Sequence, residues 1–358
     1  MELLQKIPKS ELHVHLRGAI PIEVINVLWE KHTAKKILED IPAKEKLLFR
    51  FFKNIRPFLS ENHWSRDTTP DLFRYKSFIQ FLITYYFTRY LIKDKSDLKL
   101  LIKGVLERLK SQNIVYVEIT ISIIDYLKRG FTLEEVKECL DEFTSFPGIQ
   151  VQWIVDLVRN IGEKSALASL EDIINLKFSN IIGITLGGYE RFYPPKKFLK
   201  VYSKARENGL HLTIHAGEGL GPKSVWDSIN LLGVERIGHG VRAVEDVLLV
   251  KYLAKNKIPL EISPTSNIKT GIYSSYQEHP VRKLFDAGVQ ITINTDDPTF
   301  FNTTLVDEYL HVYNMGLGEK DIYTMIRNGF LYSFLQEDKI NKYLKDLDNK
   351  WGNLKGFV

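Results

Sequence analysis

The chain has 358 residues, 44% of them hydrophobic and 26% charged, with a formal net charge of +5. That length supports one large core or two medium ones, and no apolar run approaches the roughly 18 residues of a membrane helix. Cys139 is the only cysteine, which excludes an intrachain disulfide and any thiolate metal cluster built from one chain.

The basic residues are scattered, at Lys35-Lys36, residues 93–103, Lys196-Lys197 and residues 342–350. They read as solvated surface, so neither a nucleic acid nor a membrane partner is expected. The first residues show no basic segment followed by an apolar stretch and small residues, and the expected compartment is the cytoplasm.

Eight short runs rich in β-branched residues recur along the chain: residues 11–16, 114–120, 151–157, 181–186, 211–215, 236–239, 259–262 and 290–294. Amphipathic stretches separate most of them, such as 133–143, 195–208, 244–255 and 280–287. Strands alternating with helices predict a parallel sheet, and eight such units predict a closed (β/α)8 barrel. The regularity fails once, because about 95 residues separate the first strand from the second, too many for one crossover. This aromatic-rich segment includes Phe58, Trp64 and the run 78–90, read as a buried helix. Residues 21–110 are therefore expected to form a helical insertion over the barrel mouth, and residues 305–358 the C-terminal helices of a single domain, 1–358.

The chemistry-bearing residues fall at strand ends. His13 and His15 are two apart in a strand, so both imidazoles point to one face. His215 ends another strand, His239 another, and Asp296 and Asp297 the last. In such barrels the carboxyl-terminal ends of the strands hold the active site. Three histidines and a carboxylate suit a divalent metal, most often zinc, which would bring a bound water towards ionisation near neutral pH. Glu218, three residues after His215, is a candidate proton donor. His239, if not a ligand, is a candidate to orient or deprotonate the water. Singly, each motif has an ordinary structural explanation; together, each at a strand end, they do not. His32, His63, His211, His279 and His311 lack this context and are assigned to surface or packing, with His63 a candidate for the cover.

Five motifs carry a resemblance: Ser-Glu-Leu-His-Val-His-Leu-Arg-Gly-Ala (10–19), Thr-Ile-His-Ala-Gly-Glu (213–218), Arg-Ile-Gly-His-Gly (236–240), Ser-Pro-Thr-Ser-Asn (263–267) and Thr-Ile-Asn-Thr-Asp-Asp-Pro (292–298). With Asn-Ile-Val-Tyr-Val-Glu (113–118) as a second strand, the sequence resembles the adenosine deaminase family of the amidohydrolase superfamily from about residue 8 to about residue 310. The resemblance implies one zinc ion per chain on His13, His15, His215 and Asp296. It implies Glu218 as the acid that protonates purine N1 and His239 as the partner of the attacking water. It implies Asp297 in contact with base and water, and the Gly188 N–H facing purine N3. His15 also lies on the substrate side. A separate class of zinc deaminases needs at least two cysteines, which one cysteine excludes.

Four positions depart from the family pattern. Arg17 stands where an acid commonly contacts the ribose 5′-hydroxyl. Two readings follow: a guanidinium that takes a 5′-anionic substrate such as AMP or N6-methyl-AMP, or one that pairs with a local acid. Thr185 replaces a usual Asp, and Thr120 a common Arg. Ser263 replaces a common Cys, a minor change. The expected activity is hydrolytic deamination of adenosine or a related adenine nucleoside, in purine salvage. The alternatives are a 5′-anionic substrate, free adenine, or a non-catalytic purine-binding relative.

Overall fold

The computed structural model describes residues 2–178 and 180–355; the outermost residues of the expected 1–358 domain, including the last three of its C-terminal segment, lie outside the described residues. Eight parallel strands form a nearly closed barrel: β1 (Lys9–His15), β2 (Ile114–Ile121), β3 (Ile149–Asp156), β4 (Ile181–Thr185), β5 (His211–Ala216), β6 (Arg236–His239), β7 (Leu260–Ile262) and β8 (Ile291–Ile293). Each pairs in parallel with the next. A two-residue strand, Ser145–Phe146, adds antiparallel to β3. All eight expected strands are present, each within a few residues of its expected bounds.

The seam between β1 and β8 is made just beyond the end of β8. The His15 N–H donates to the Asp296 carbonyl (2.8 Å) and the Asp296 N–H to the His13 carbonyl (3.0 Å). Below this, the Asn294 side chain accepts from the backbone N–H groups of Leu12 (2.9 Å) and His13 (3.2 Å). A side-chain amide here replaces a missing ladder, satisfying donors that would otherwise be buried unpaired.

Glu11 lies on the same seam. One of its carboxylate oxygens accepts from the Thr295 N–H (2.9 Å) and hydroxyl, while Oε2 is buried without a partner. Burial raises its pKa to about 7 against the pull of these hydrogen bonds. A carboxyl raised in the folded state favours folding fully below its unfolded pKa of about 4.5 and loses that contribution as pH rises towards 7. Glu11→Gln keeps an acceptor and removes the charge. Its melting temperature is expected to exceed that of the wild type by a few degrees at pH 8 and to match it near pH 4.5, as calorimetry at the two pH values would show.

The insertion between β1 and β2 is helical: Ile22–Glu39 with a break at Thr33, Ala43–Phe49, Phe78–Thr88 and Lys95–Ser111, with 3-10 turns between. Helix Lys95–Ser111 begins at a capping box of Asp94 and Asp97 and buries Leu98, Leu101, Ile102, Val105, Leu106 and Leu109, the spacing of one helical face. The stretch 78–90 is not the buried helix its apolar composition suggests. Phe81 and Phe87 are buried, but Ile79 is 63% and Tyr86 40% exposed, because the helix covers the barrel mouth and keeps one face outside. Helices Leu305–Asn314, Glu319–Leu331 and Glu337–Lys355 follow β8. Among the described residues, no helix is long and apolar enough to cross a membrane.

Candidate active site

The strand tips bring the expected residues together. His15 Nε2 lies 3.2 Å from His215 Nε2 and 3.2 Å from Asp296 Oδ1, and His13 Nε2 lies 3.5 Å from Asp296 Oδ1. One donor atom each from His13, His215, His239 and Asp296 fall within 4.8 Å of one another. Donors at zinc–ligand distances of 2.0–2.1 Å in a tetrahedron are roughly 3.3 Å apart, so the separations of 3.2–3.5 Å suit a divalent metal ion. His13 Nε2 is buried without a hydrogen-bond partner, as an imidazole reserved for a ligand bond would be. Five donors converge in all, one more than a four-coordinate site needs; His239 is the one whose Nε2 also lies 3.7 Å from Glu218 Oε2.

Local backbone explains how the motifs reach this point. His239 (φ 61°) and Asp296 (φ 64°) both adopt left-handed conformations, uncommon for residues with a Cβ and typical of constrained functional sites. Gly18 is required by close approach: a Cβ there would lie 1.7 Å from Asp297 Oδ1. Gly238 makes room for the His13 ring, since a Cβ would lie 2.8 Å from its Cε1.

A buried layer orients the donors. His13 Nδ1 meets Glu261 Oε2 (2.9 Å), and the other Glu261 oxygen accepts from Arg236 Nε (2.6 Å). Arg236 also pairs with Glu118, and its guanidinium lies 3.7 Å from the centre of the Phe334 ring. The Ser266 hydroxyl donates to Asp296 Oδ2 (2.7 Å). Thr185 Oγ1 lies 3.4 Å from His215 Nδ1, a hydroxyl where a carboxylate would be the stronger support. Thr120 does not share this place: it sits on β2, with β3 between it and Thr185. Glu190 accepts from the N–H groups of Gly217 (2.9 Å) and Leu220 (2.8 Å), fixing the loop that carries Glu218. Arg159, fully buried, donates to the carbonyls of Leu186 and His215.

Electrostatics set the carboxyls apart. Burial, reinforced by Asp296 and Glu190, raises Glu218 to about 8, and the group, 22% exposed, lines the cavity. Burial and the Asp296 charge raise Asp297 to about 8, and its Oδ1 is buried without a partner. Asp296 goes the other way: burial opposes ionisation, but the adjoining His13 and His15 side chains hold it well below the usual range. For His13, burial opposes the proton but Asp296 and Glu261 outweigh it, lifting the ring to about 10. Burial and the neighbouring His13 and His15 push His215 well down. Carboxyls with opposed shifts in one cleft mark acid–base chemistry.

The cluster floors a cavity of about 180 Å³ whose far wall is Phe78, Phe81, Leu82, Tyr85 and Tyr86 from the insertion. Gly188 lines it with φ 103°, beside Asp156, Asn160 and Ser122. Arg17 lines it too. Its Nη2 lies 3.1 Å from Asp125 Oδ2, its guanidinium stacks 4.0 Å over Tyr85, and its Nε is buried without a partner. A larger surface cleft of about 510 Å³ near Arg108 and Asn302 lies apart from these groups.

His13, His15, Arg17, Gly188, His215, Glu218, His239, Asp296 and Asp297 thus share one site. His63 does not reach the cavity lining; it packs edge-on to Phe58. His32 bonds Asp97, His211 stacks on Phe334 and His311 on Tyr276. His279 differs from its assignment as packing alone, because it is buried in hydrogen-bond contact with Asn267. Glu261, Asn267, Asp125, Arg159 and Glu190 were not singled out in the sequence. The motif Ser-Pro-Thr-Ser-Asn flagged Ser266 and Asn267 by position, but nothing local shows what their side chains meet.

A family model described as adenosine deaminase matches residues 8–350. An adenine deaminase of Geotalea uraniireducens is 31% identical over 353 residues, covering 97% of this chain and 92% of the relative. An adenosine deaminase of Clostridium kluyveri is 30% identical, covering 96% and 94%. The crystal structure of an adenine deaminase from Arthrobacter aurescens superimposes with a TM-score of 0.83 at 24% identity, covering 96% of this chain and 98% of its own, a likeness of fold.

Proposed function

The chain belongs to the adenosine deaminase family, and from that premise we propose that it hydrolyses the amino group from an adenine-type base, with one zinc ion held by His13, His15, His215 and Asp296. The observation that carries this reading is the raised, part-buried Glu218 carboxyl facing the same point as the converged donors. When bound, zinc would supply a water whose pKa lies near neutrality.

The residues of the chain supply the rest. Attack at C6 breaks the aromaticity of the ring, and Glu218, protonated at neutral pH, offsets this by giving its proton to N1. His239 and Asp297 flank the attacking water and direct it to C6. The C6–N bond then breaks, and the amine leaves as ammonia with a proton returned from the site; the water oxygen stays on C6. The Gly188 backbone orients the far edge of the purine. Residues 1–358 act as one barrel domain, with 21–110 excluding water over the reacting centre.

On the substrate, the geometry favours a neutral adenine species, adenosine or free adenine, over a nucleotide. Asp125 already neutralises Arg17, Tyr85 caps it, and a 5′-phosphate would meet the Asp125 carboxylate. One observation supports the second reading: the unpartnered Arg17 Nε retains a donor for an acidic or hydroxyl group. Absorbance assays of adenosine, adenine, AMP and N6-methyl-AMP decide. The neutral substrates are expected to exceed AMP in kcat/KM by at least about tenfold, as like-charge juxtaposition costs several kcal/mol. Asp125→Asn should narrow that gap. AMP turnover equal to adenosine in the wild type would replace the neutral substrate with the anionic one, and no turnover of any 6-aminopurine would overturn the deaminase.

A further inference from the structure

Behind the strand tips runs a chain of three buried polar side chains. The Val281 backbone N–H donates to His279 Nδ1 (3.2 Å). His279 Nε2 lies 3.1 Å from Asn267 Oδ1, and Asn267 Nδ2 lies 3.2 Å from His239 Nδ1. His279 is 5% exposed, Asn267 0% and His239 1%. The Tyr273 ring packs edge-on against His279, centroids 5.3 Å apart.

The polarity of this chain is set at one end by a group that cannot reverse. A backbone N–H only donates, so His279 Nδ1 must present a lone pair. Burial, with His239 nearby, lowers His279 to about 3; the ring is neutral and its one proton sits on Nε2. That proton needs an acceptor, so Asn267 turns its carbonyl to His279 and its amide to His239. The opposite amide orientation would set two donors against each other in a dry interior. His239 Nδ1 therefore accepts, and the proton of the neutral ring lies on Nε2, the nitrogen that faces Glu218.

We propose that Asn267 and His279 are positioning residues that fix His239 as its Nε2–H tautomer, so that His239 donates a hydrogen bond to the attacking oxygen. The inference rests on the reading of His239 as the partner of that water. The His239 ring stays neutral throughout: its hydrogen bond stabilises the developing negative oxygen without proton transfer.

Nitrogen-15 NMR of histidine-labelled full-length protein tests this, in zinc-loaded and metal-free samples, with His239 assigned by its loss in His239→Gln. His239 is expected to show a protonated Nε2 and an unprotonated Nδ1. Asn267→Asp puts an acceptor opposite Nδ1 and should move the proton there. The kcat should then fall about 10–100-fold at unchanged zinc content, with KM within about twofold. His279→Gln keeps a donor towards Asn267 and should hold kcat within about threefold, whereas His279→Leu should lose about tenfold or more. A wild-type His239 protonated on Nδ1 overturns the proposal, as does Asn267→Asp or His279→Leu with wild-type tautomer and kcat. The NMR result does not depend on deaminase activity, so a failure of the assigned reaction and a failure of this relay are separable.

Discussion

Replacing Glu218 by glutamine is expected to lower kcat by about 10²–10⁴-fold with zinc still bound at one ion per chain. Glutamine has the shape and polarity of the protonated acid, so packing in the cavity is preserved. What it lacks is a proton that can be given up. The wild-type carboxyl is held to about 8 by burial, with Asp296 and Glu190 reinforcing it, and the acid works only while protonated. Activity should thus decline as pH rises above that value, and in Glu218→Gln this alkaline limb should vanish along with most of the rate. Steady-state kinetics paired with metal analysis is the measurement. More than a tenth of wild-type kcat remaining would remove Glu218 from the role of acid.

Chelation should abolish turnover, and zinc should restore it. His15→Ala is expected to lower activity by more than about 10²-fold, beyond the usual cost of losing a group that merely supports a ligand, and added zinc should not rescue it. The reason lies in the contacts of His15: its Nε2 is 3.2 Å from both His215 Nε2 and Asp296 Oδ1, so its loss opens one corner of the donor set. A zinc-loaded wild type should also melt higher than the stripped protein, by an amount set by zinc concentration relative to its affinity: about 4 kcal/mol at a thousandfold excess over Kd. Full activity in a protein shown to hold no metal would dismiss the proposed chemistry.

Much of this was legible in the sequence, for a physical reason. The period of each strand is short and local, so runs such as Arg-Ile-Gly-His-Gly disclose both the strand and the residue at its tip. The eight strands and the strand-end residues His13, His15, His215, His239, Asp296 and Asp297 follow from that rule together with the fact that barrels present one rim, whereas Gly188 and Arg17 came only from the resemblance. What was not legible depends on contacts between distant segments. Arg17 gave two readings because its partner, Asp125, lies more than a hundred residues away, on the helix after β2. The buried Glu118–Arg236–Glu261 chain joins β2, β6 and β7, and no local pattern reveals it. His279 looked ordinary because its meaning lies in Asn267 and His239. The stretch 78–90 misled by composition: apolar residues on a cover face inward over a ligand cavity, and a hydropathy count does not tell that from a core.

The join between the first and last staves has a consequence of its own. The same peptide groups that fasten the cylinder belong to His13, His15 and Asp296. Whatever loosens that clasp spreads the ion-holding atoms, and whatever grips those atoms tightens the clasp. Shape and chemistry are therefore hard to vary separately in this chain: substitutions at Asn294 or Glu11, which touch no substrate, reach the reaction by changing how firmly the hoop is shut.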